Sequence, residues 1–410
     1  MSKVLGIVAE YNPFHNGHLY HLNESKKVTG ATYTVAVMSG NFTQRGSTSF
    51  IDKWSRAKSA IDCGVDLVVE LPVLYATSSA ENFAYGAIKI LNSLQVVDYL
   101  SFGAETADMN ILSTISEVLY QEPKEYKSFL AHELKAGLSF PKAREKALNL
   151  YFHNDKRFYN VINSPNNILG IEYLKALKKC KSNMQPVAIE RHEAEHNDLR
   201  YSNGIASSTA IRNIIKNNGL HIAQKLMPDA SFRKLLENMK NGHIVSDLSI
   251  FEKEIMLNLR RMSVSEIADL PDVSEGLEYA IKNAANSCNS IVEFLNIIKS
   301  KRYTSTRLQR ILVYSLLGIT KKDMALTEKT LPYIRVLGFN NRGKYLISEV
   351  SKSNPRLNII TSVKKFTDNN LNKSLKTMLD KDIFATDVYT IGYEYDSWAN
   401  LDFTNKIVTK

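Results

Sequence analysis

A short apolar segment, followed at once by a turn and a helix start, is the feature that most constrains this chain. Residues Val4 to Ala9 have the length and character of a buried parallel strand. Asn12-Pro13 then indicates a turn, and His18-Leu19-Tyr20 opens a predicted helix. His15-Asn16-Gly17-His18 lies at this junction. An open α/β sheet binds phosphates where its first strand turns into its first helix. This strand–turn–helix order therefore predicts a nucleotide site at residues 15–18.

The residue types at the junction indicate a reaction as well as binding. Gly17 lets a ligand approach the backbone closely. The imidazoles of His15 and His18 can donate hydrogen bonds to phosphate oxygens, whose negative charge grows as pyrophosphate leaves. The alternative is a pair of surface histidines at a helix start. The strand before the motif and the helix after it favour chemistry at the α-phosphate of a nucleotide.

Strand-like and helix-like segments alternate over about the first 215 residues, and this alternation predicts a mostly parallel sheet with both faces covered. We predict strands at 33–38, 66–72, 99–103 and 186–189, and helices at 53–63, 80–94, 165–179 and 207–217. Charged, helical residues from about 107 to 160 are predicted to be an insertion. From about residue 219 helical stretches dominate, and mixed segments, including a strand at 358–363, follow residue 330. We therefore predict a catalytic domain at 1–218 and a helical and mixed region at 219–410.

The positive charge is concentrated near the C-terminus. Residues 301–410 carry 19 Lys+Arg and 10 Asp+Glu, which is +9 of the total of +10. A localised basic field suits a polyanion, although a basic soluble domain without such a partner gives the same count. Basic side chains alternate there with tyrosines, as expected for RNA loops held through phosphates and unpaired bases. The residues predicted to bind RNA are Arg302, Arg307, Arg310, Arg342 and Lys344.

Composition also indicates where in the cell the protein is expected to work. No apolar run approaches the length of about 18 residues that a bilayer span needs, so we expect no membrane partner. The three cysteines are far apart and form no C-x-x-C pair, which favours a reducing, cytoplasmic location. We predict no DNA partner and assign no oligomeric state.

A second motif, Ser207-Ser208-Thr209-Ala210-Ile211-Arg212, opens the predicted helix at 207–217. Hydroxyl groups at a helix N-terminus cap the helix and can also bind phosphate oxygens, and Arg212 can neutralise a leaving pyrophosphate. By itself the motif is more often a cap than a site. Two helix N-termini facing one triphosphate make a site, so the predicted catalytic residues are His15, His18, Ser208, Thr209 and Arg212.

Two other polar patterns leave alternatives open. His192-Glu193-Ala194-Glu195-His196 matches the H-E-x-x-H zinc pattern, but it follows a predicted strand and no third ligand is evident, so we assign no metal ligand. Residues 39–56 include polar side chains that could hold a carboxylate or the polar edge of a base, or could simply be solvated. They are Asn41, Gln44, Arg45, Lys53 and Arg56.

The two motifs together resemble the nucleotidylyltransferase superfamily, which carries H-x-G-H first and I-S-S-T-x-I-R late. Here the second string is Ile205-Ala206-Ser207-Ser208-Thr209-Ala210-Ile211-Arg212, one residue longer between Ile and the Ser-Thr pair. The resemblance implies a nucleotidylyltransferase-like, Rossmann-like parallel sheet with a C-terminal helical and mixed α/β module. It also implies ATP, Mg²⁺ and in-line attack on the α-phosphate.

A closer resemblance covers nearly the whole chain. Residues 10–18 (EYNPFHNGH), 38–46 (MSGNFTQRG) and 164–170 (SPNNILG) look like the bacterial tRNA(Met) cytidine acetate ligase family. That resemblance implies an ATP-dependent ligase, which activates acetate to acetyl-adenylate. The acetyl group then passes to N4 of the wobble cytidine of elongator tRNA(Met), giving N4-acetylcytidine.

The same resemblance implies a set of ATP-binding residues. The loop of residues 7–20 would carry most of them, and three residues at strand ends and a helix start would complete the site. The set is Ile7, Val8, Ala9, Glu10, Tyr11, Asn12, Pro13, Phe14, His15, Asn16, Gly17, His18, Leu19, Tyr20, Gly103, Asn166 and Arg191. Two rival functions remain at this point: an adenylyltransferase for a small phosphorylated metabolite, and a non-catalytic protein that binds tRNA and ATP.

Overall fold

A computed structural model describes residues 2–191, 204–331, 333–369 and 372–410. Its central sheet has eight strands in the order β10-β8-β5-β2-β1-β6-β7, with β9 paired to β8, and β3 and β4 form a separate small hairpin. The strands are β1 (Val4–Ala9), β2 (Tyr33–Ser39), β3 (Phe42–Thr43), β4 (Ser47–Thr48), β5 (Leu67–Leu71), β6 (Tyr99–Ala104), β7 (Gln185–Glu190), β8 (Ile334–Phe339), β9 (Ile359–Ile360) and β10 (Val408–Thr409).

Five neighbouring strands run parallel, so the predicted mostly parallel sheet is confirmed. The register joins Ile7 of β1 to Ala36 of β2, and Val37 of β2 to Val69 of β5. β8 pairs antiparallel to β5, with β9 and β10 parallel to β8. The sheet therefore extends across the predicted division at 218/219, because strands from the C-terminal region complete its β5 edge. The domain division itself stays a prediction.

Helices cover both faces of the sheet. In the first half of the chain they are α1 (Asn16–Thr29), α2 (Lys53–Asp62), α3 (Val73–Ala76), α4 (Ala80–Ser93), α5 (Met109–Gln121), α6 (Lys124–Lys135), α7 (Phe140–Tyr151), α8 (Lys156–Ile162) and α9 (Pro165–Lys179). In the second half they are α10 (Ser208–Lys216), α11 (Leu220–Leu226), α12 (Asp229–Lys240), α13 (Glu252–Arg261), α14 (Val264–Ala268), α15 (Leu277–Ser287), α16 (Ile291–Ile298), α17 (Ser305–Leu317), α18 (Lys321–Lys329), α19 (Asn341–Ser353), α20 (Val363–Asn369), α21 (Lys373–Ile391) and α22 (Leu401–Thr404).

The strand residues alternate between two apolar cores. Val35 and Val37 face a core that includes α4 and α9, whereas Ala36 and Met38 face a second core with α1 and α2. Side chains of successive strand residues point to opposite faces, so a strand buried on both sides reads as a continuous apolar run. This is why β2 and β5 were recognisable from sequence.

One predicted strand is shorter than expected. Residues 358–363 form only the two-residue β9, and α20 begins at Val363. The hydroxyl of Ser362 accepts a hydrogen bond from the Lys365 backbone N–H at 3.4 Å, which places Ser362 at a helix start. The apolar run therefore ends in a helix cap, a signal that the strand prediction did not use.

Candidate nucleotide site

The first helix is capped by the histidines of the first motif. The Nδ1 atom of His15 accepts a hydrogen bond from the Gly17 N–H at 3.1 Å. The Nδ1 atom of His18 accepts one from the His15 N–H at 3.2 Å, which completes a reciprocal capping box. The two rings stack with centroids 3.7 Å apart. Because the histidines supply the cap, the helix begins at Asn16, two residues before the predicted start.

Both imidazoles are neutral near pH 7. Burial, with a smaller effect of the positive Arg191, lowers the pKa of His15 to about 3. Burial and then the neighbouring His15 hold the pKa of His18 well below its ordinary value. Since each Nδ1 accepts a hydrogen bond, each neutral ring carries its proton on Nε2. The pair therefore offers an anion two neutral N–H donors rather than two positive charges.

The second motif lies beside the loop that follows β1. Arg212 donates through Nη1 to the Asn12 carbonyl at 2.7 Å and through Nη2 to the Thr209 hydroxyl at 3.1 Å. The first of these bonds joins residues 200 positions apart. Ser208 is the first residue of α10, so its hydroxyl belongs to the same helix N-terminus. The structure thus brings the two motifs together, and their catalytic roles stay a prediction.

Gly17 lies where the two motifs meet. A Cβ atom on Gly17 would lie 2.9 Å from Cε1 of His15 and 3.4 Å from Cγ2 of Ile205. Next to it, Asn16 donates through Nδ2 to the Gly204 carbonyl at 2.9 Å. Contacts this close leave little space for a side chain, so packing favours glycine here, and ligand approach at Gly17 stays a prediction.

The ends of β6 and β7 supply the other predicted ATP residues. Gly103 in β6 pairs with Ile189 in β7, and Arg191 follows β7 directly. A Cβ atom on Gly103 would lie 3.2 Å from Cγ of Arg191, so the arginine side chain passes over this position. The positive charge of Arg191 also lowers the pKa of both His15 and His18. Residues from β1, β6 and β7 therefore meet at one edge of the sheet.

Asn166 is held by a carboxylate that the sequence analysis did not single out. Oε1 of Glu105 accepts hydrogen bonds from the Asn166 side chain at 2.7 Å and from its backbone N–H at 3.1 Å. Oε2 of Glu105 accepts one from the Asn167 N–H at 2.9 Å. Glu105 thus binds the first turn of α9. Its place directly after β6 is the signal that could have identified it, since strand ends carry the ligand side of such a sheet.

The loop of residues 7–20 combines buried and accessible side chains. Ile7, Tyr11 and Phe14 are buried in an apolar core. The side chains of these three residues therefore pack inside the protein. Glu10 and Asn16 are more accessible, and the carboxylate of Glu10 accepts a hydrogen bond from the Gln44 N–H at 2.8 Å.

Arg56 holds the backbone at this edge of the sheet through hydrogen bonds, a role that the sequence did not indicate. Its guanidinium is fully buried and donates to four backbone carbonyls. These belong to Glu10 at 2.7 Å, Ser39 at 3.0 Å, Ile51 at 3.1 Å, and Gly40. Arg56 therefore joins the ends of β1 and β2 to the loop before α2, and these bonds occupy most of its donors.

Asn41 and Lys53 are also engaged inside the protein. Oδ1 of Asn41 accepts a hydrogen bond from the Lys53 N–H at 2.8 Å. The Lys53 ammonium lies 2.9 Å from carboxylate oxygens of both Glu70 and Asp402, and Arg335 pairs with the same two carboxylates. We call these four charged residues the buried ion network; it joins α2 and β5 to β8 and α22.

The three predicted RNA-binding residues in and just before α17 lie near intramolecular partners. Arg310 is buried and its guanidinium lies 2.7 Å from the carboxylate of Asp272, so its assignment to RNA does not fit this placement. Arg307 donates to the Asp272 carbonyl at 2.8 Å. Arg302 is exposed and lies 4.0 Å from Glu275. For Arg302 and Arg307, RNA binding stays a prediction.

Arg342 and Lys344 lie elsewhere, at the start of α19. This helix follows β8, which runs antiparallel to β5, so it begins at the opposite edge of the sheet from the histidines. A cavity of about 430 Å³ there is lined by Lys26, Arg342 and Lys410. The five predicted RNA-binding residues therefore divide between the region of α17 and the start of α19.

The described residues show neither a metal-binding cluster nor a membrane-spanning helix. In the part of the chain that the structure describes, no three His, Cys, Asp or Glu side chains are grouped so as to hold a metal ion. The H-E-x-x-H string at 192–196 lies outside the described residues. Among the described helices, none is both long and apolar enough to cross a bilayer.

Comparison with known proteins gives one consistent result. The HIGH Nucleotidyl Transferase family matches residues 2–401. The tRNA(Met) cytidine acetate ligase of Thermoanaerobacter sp. (strain X514) is 44% identical, and that of Acetivibrio thermocellus is 42% identical, each over 99% of both chains. The crystal structure of Thermotoga maritima TmcAL bound with alpha-thio ATP superposes with a TM-score of 0.92, at 33% identity and 99% coverage of both chains.

Proposed function

Because the chain belongs to the HIGH nucleotidyl transferase family and to the tRNA(Met) cytidine acetate ligases, we propose that it is an ATP-dependent ligase that acetylates N4 of the wobble cytidine of elongator tRNA(Met). The observation that carries the proposal is the stacked His15–His18 pair at the start of α1, with Arg212 bound to the adjoining loop. Such a grouping of hydrogen-bond donors and positive charge at a helix start supports the binding of a triphosphate.

The first step forms acetyl-adenylate. An acetate oxygen attacks the α-phosphorus of ATP, a new P–O bond forms, and the bond to the β-phosphate breaks to release pyrophosphate. The Nε2–H groups of His15 and His18 donate to phosphate oxygens as their charge grows. Arg212 and Arg191 supply positive charge, since the histidines are neutral. Acetate is already a nucleophile, so the step needs no covalent enzyme intermediate.

The second step transfers the acetyl group. The N4 amine of cytidine attacks the carbonyl carbon of acetyl-adenylate, AMP leaves, and N4 loses a proton. Positioning supplies most of the rate in such a transfer, because the mixed anhydride is already activated. The protein's task is then to hold the anticodon loop over the adenylate.

Magnesium enters this proposal with the nucleotide, as MgATP. Mg²⁺ keeps several waters and prefers phosphate oxygens plus one or two carboxylates to an all-protein cage. Glu10, in the loop after β1, is a carboxylate at this edge of the sheet that could contribute to such a shell.

The test uses purified protein, MgATP, carbon-labelled acetate and total bacterial tRNA, followed by digestion of the RNA to nucleosides. We expect label in N4-acetylcytidine. Acetate-dependent exchange of pyrophosphate into ATP without RNA labelling would keep the adenylation step and overturn the RNA assignment. Absence of both signals would favour an adenylyltransferase for a small phosphorylated metabolite.

A further inference from the structure

Of the polar residues that follow β2, one has no role inside the protein. The side chains of Asn41, Lys53 and Arg56 are buried and bonded internally. Gln44 donates through Nε2 to the Ser78 carbonyl at 3.2 Å. Arg45 is exposed, and in the described residues its guanidinium makes no hydrogen bond or ion pair. A lone arginine with five donors needs an explanation when its neighbours are all engaged.

The β3–β4 hairpin that carries Arg45 is attached to the nucleotide loop. The Gln44 N–H donates to the Glu10 carboxylate at 2.8 Å, one residue before Arg45. After the hairpin, the Phe50 N–H donates to Oδ1 of Asn12 at 2.7 Å. The backbone that carries Arg45 is therefore held beside the loop that we propose binds ATP. The positive charge of Arg45 also acts on Arg212 of the second motif. Burial lowers the pKa of Arg212, and Arg45 lowers it further.

The other side of the hairpin rests on the C-terminal region. Gly46 has φ +72°, and a Cβ atom there would overlap the backbone of α17 at Arg310. Only glycine allows both this left-handed backbone and this approach. The tip thus lies between the nucleotide site and the region that carries +9 of the net charge.

We propose that Arg45 binds a backbone phosphate of the tRNA anticodon loop and so positions the cytidine at the acetyl-adenylate. The inference rests on the proposed function and extends it to a named contact. A phosphate could come from the triphosphate of ATP instead. The RNA is favoured because Arg45 is exposed, whereas His15 at the nucleotide site is 4% exposed. Arginine is a usual contact to nucleic-acid phosphates, and the hairpin that carries Arg45 packs against the region with most of the net charge.

The experiment compares Arg45→Ala and Arg45→Lys with Arg233→Ala, an exposed arginine on α12 that serves as the matched control. Three quantities are measured: equilibrium binding of tRNA to the full chain, acetate-dependent pyrophosphate exchange without RNA, and tRNA acetylation. For Arg45→Ala we expect about 10-fold weaker tRNA binding, a matching rise in the KM for tRNA, and a salt slope of log Kd reduced by about 1. Lysine should restore part of the affinity, and Arg233→Ala should change none of the three quantities.

Two results would overturn the inference. A loss of pyrophosphate exchange in Arg45→Ala with unchanged tRNA binding would assign the guanidinium to the phosphates of ATP. Unchanged values in all three measurements would leave Arg45 as a surface residue. Failure of the proposed function is distinguishable, since it would abolish acetylation in the unaltered protein, whereas the effect of Arg45 on tRNA binding is read without catalysis.

Discussion

At the scale of single residues, the protonation of the histidine pair is the central feature. The H-x-G-H motif does not act as a source of positive charge here, because burial keeps His15 and His18 neutral. Each ring uses Nδ1 to cap α1 and keeps the Nε2–H group for a ligand. One side chain therefore serves both helix stability and the proposed chemistry.

Removing one of these donors should slow adenylation. We expect His18→Ala to lower the rate of acetate-dependent pyrophosphate exchange by about 100-fold, because a preorganised donor to the growing charge is lost. Binding of tRNA should be unchanged, as should both properties in the control His221→Ala, which alters an exposed histidine on α11. An exchange rate equal to that of the unaltered protein would refute a catalytic role for His18.

Acid should destabilise the protein through the same residues. The pKa of His15 is about 3 in the folded state and about 6.5 when unfolded, so the unfolded state binds the proton more tightly. The contribution of neutral His15 to the unfolding free energy is therefore fully present above pH 6.5. It is lost progressively as the pH falls from 6.5 towards 3.

Lowering the pH from 7.5 to 5 should reduce the unfolding free energy of the unaltered protein. In His15→Asn, which keeps a helix-capping side chain, we expect this reduction to be smaller by up to about 2 kcal/mol. Urea titrations at the two pH values measure this difference. A pH dependence as steep in His15→Asn as in the exposed control His221→Asn would contradict the burial of a neutral His15.

At the scale of elements, α2 determines how the loops at the nucleotide edge are arranged. Arg56 reaches from this helix to carbonyls after β1 and β2, so a single guanidinium joins segments that are far apart in sequence. The loop after β2 then continues into the β3–β4 hairpin, which is bonded back to Glu10. The geometry of the proposed ATP loop thus depends on an element that contributes no ligand of its own.

Lysine cannot replace this arginine. We expect Arg56→Lys to lower the unfolding free energy by about 2–4 kcal/mol, because a point charge with fewer donors leaves buried carbonyls without partners. The KM for ATP should rise as the Glu10 carbonyl loses its anchor. Lys58→Met, which removes a partly exposed ion pair with Asp62 on the same helix, should change neither quantity. Equal stability of the two variants would show that the Arg56 bonds are dispensable.

At the scale of the whole molecule, the sheet and the buried ion network unite the two ends of the chain. Strand β8 covers the edge of β5, and Asp402 of α22 lies between Lys53 and Arg335. Although burial raises the pKa of Asp402, Arg335 and Lys53 hold it below its ordinary value. Asp402 therefore remains charged between the two cations of the network.

Neutralising one member should destabilise the protein strongly. We expect Asp402→Asn to lower the unfolding free energy by about 3–5 kcal/mol, because two buried cations would share one remaining carboxylate. Glu122→Gln, which breaks an ion pair whose side chains are more than half exposed, should leave the urea midpoint unchanged. Similar midpoints for the two variants would mean that the network adds little to stability.

Local signals in the sequence determined the strand–turn–helix start, the caps and most element boundaries. These depend on contacts a few residues apart, such as the Asp52 cap of α2 or the Pro165 start of α9. The same signals identified both motifs of the candidate site. They also predicted a mostly parallel sheet, because strands buried on both faces are recognisable as apolar runs.

Tertiary structure alone decided which polar side chains remain available. Arg45, Arg56 and Arg310 look equivalent in sequence, yet one is exposed, one is bonded to four carbonyls and one is paired with Asp272. It also decided that β8 completes the sheet. The physical reason is common to these cases: the partners lie tens to hundreds of residues away, and no local period or cap encodes which distant group will satisfy a buried charge or a strand edge.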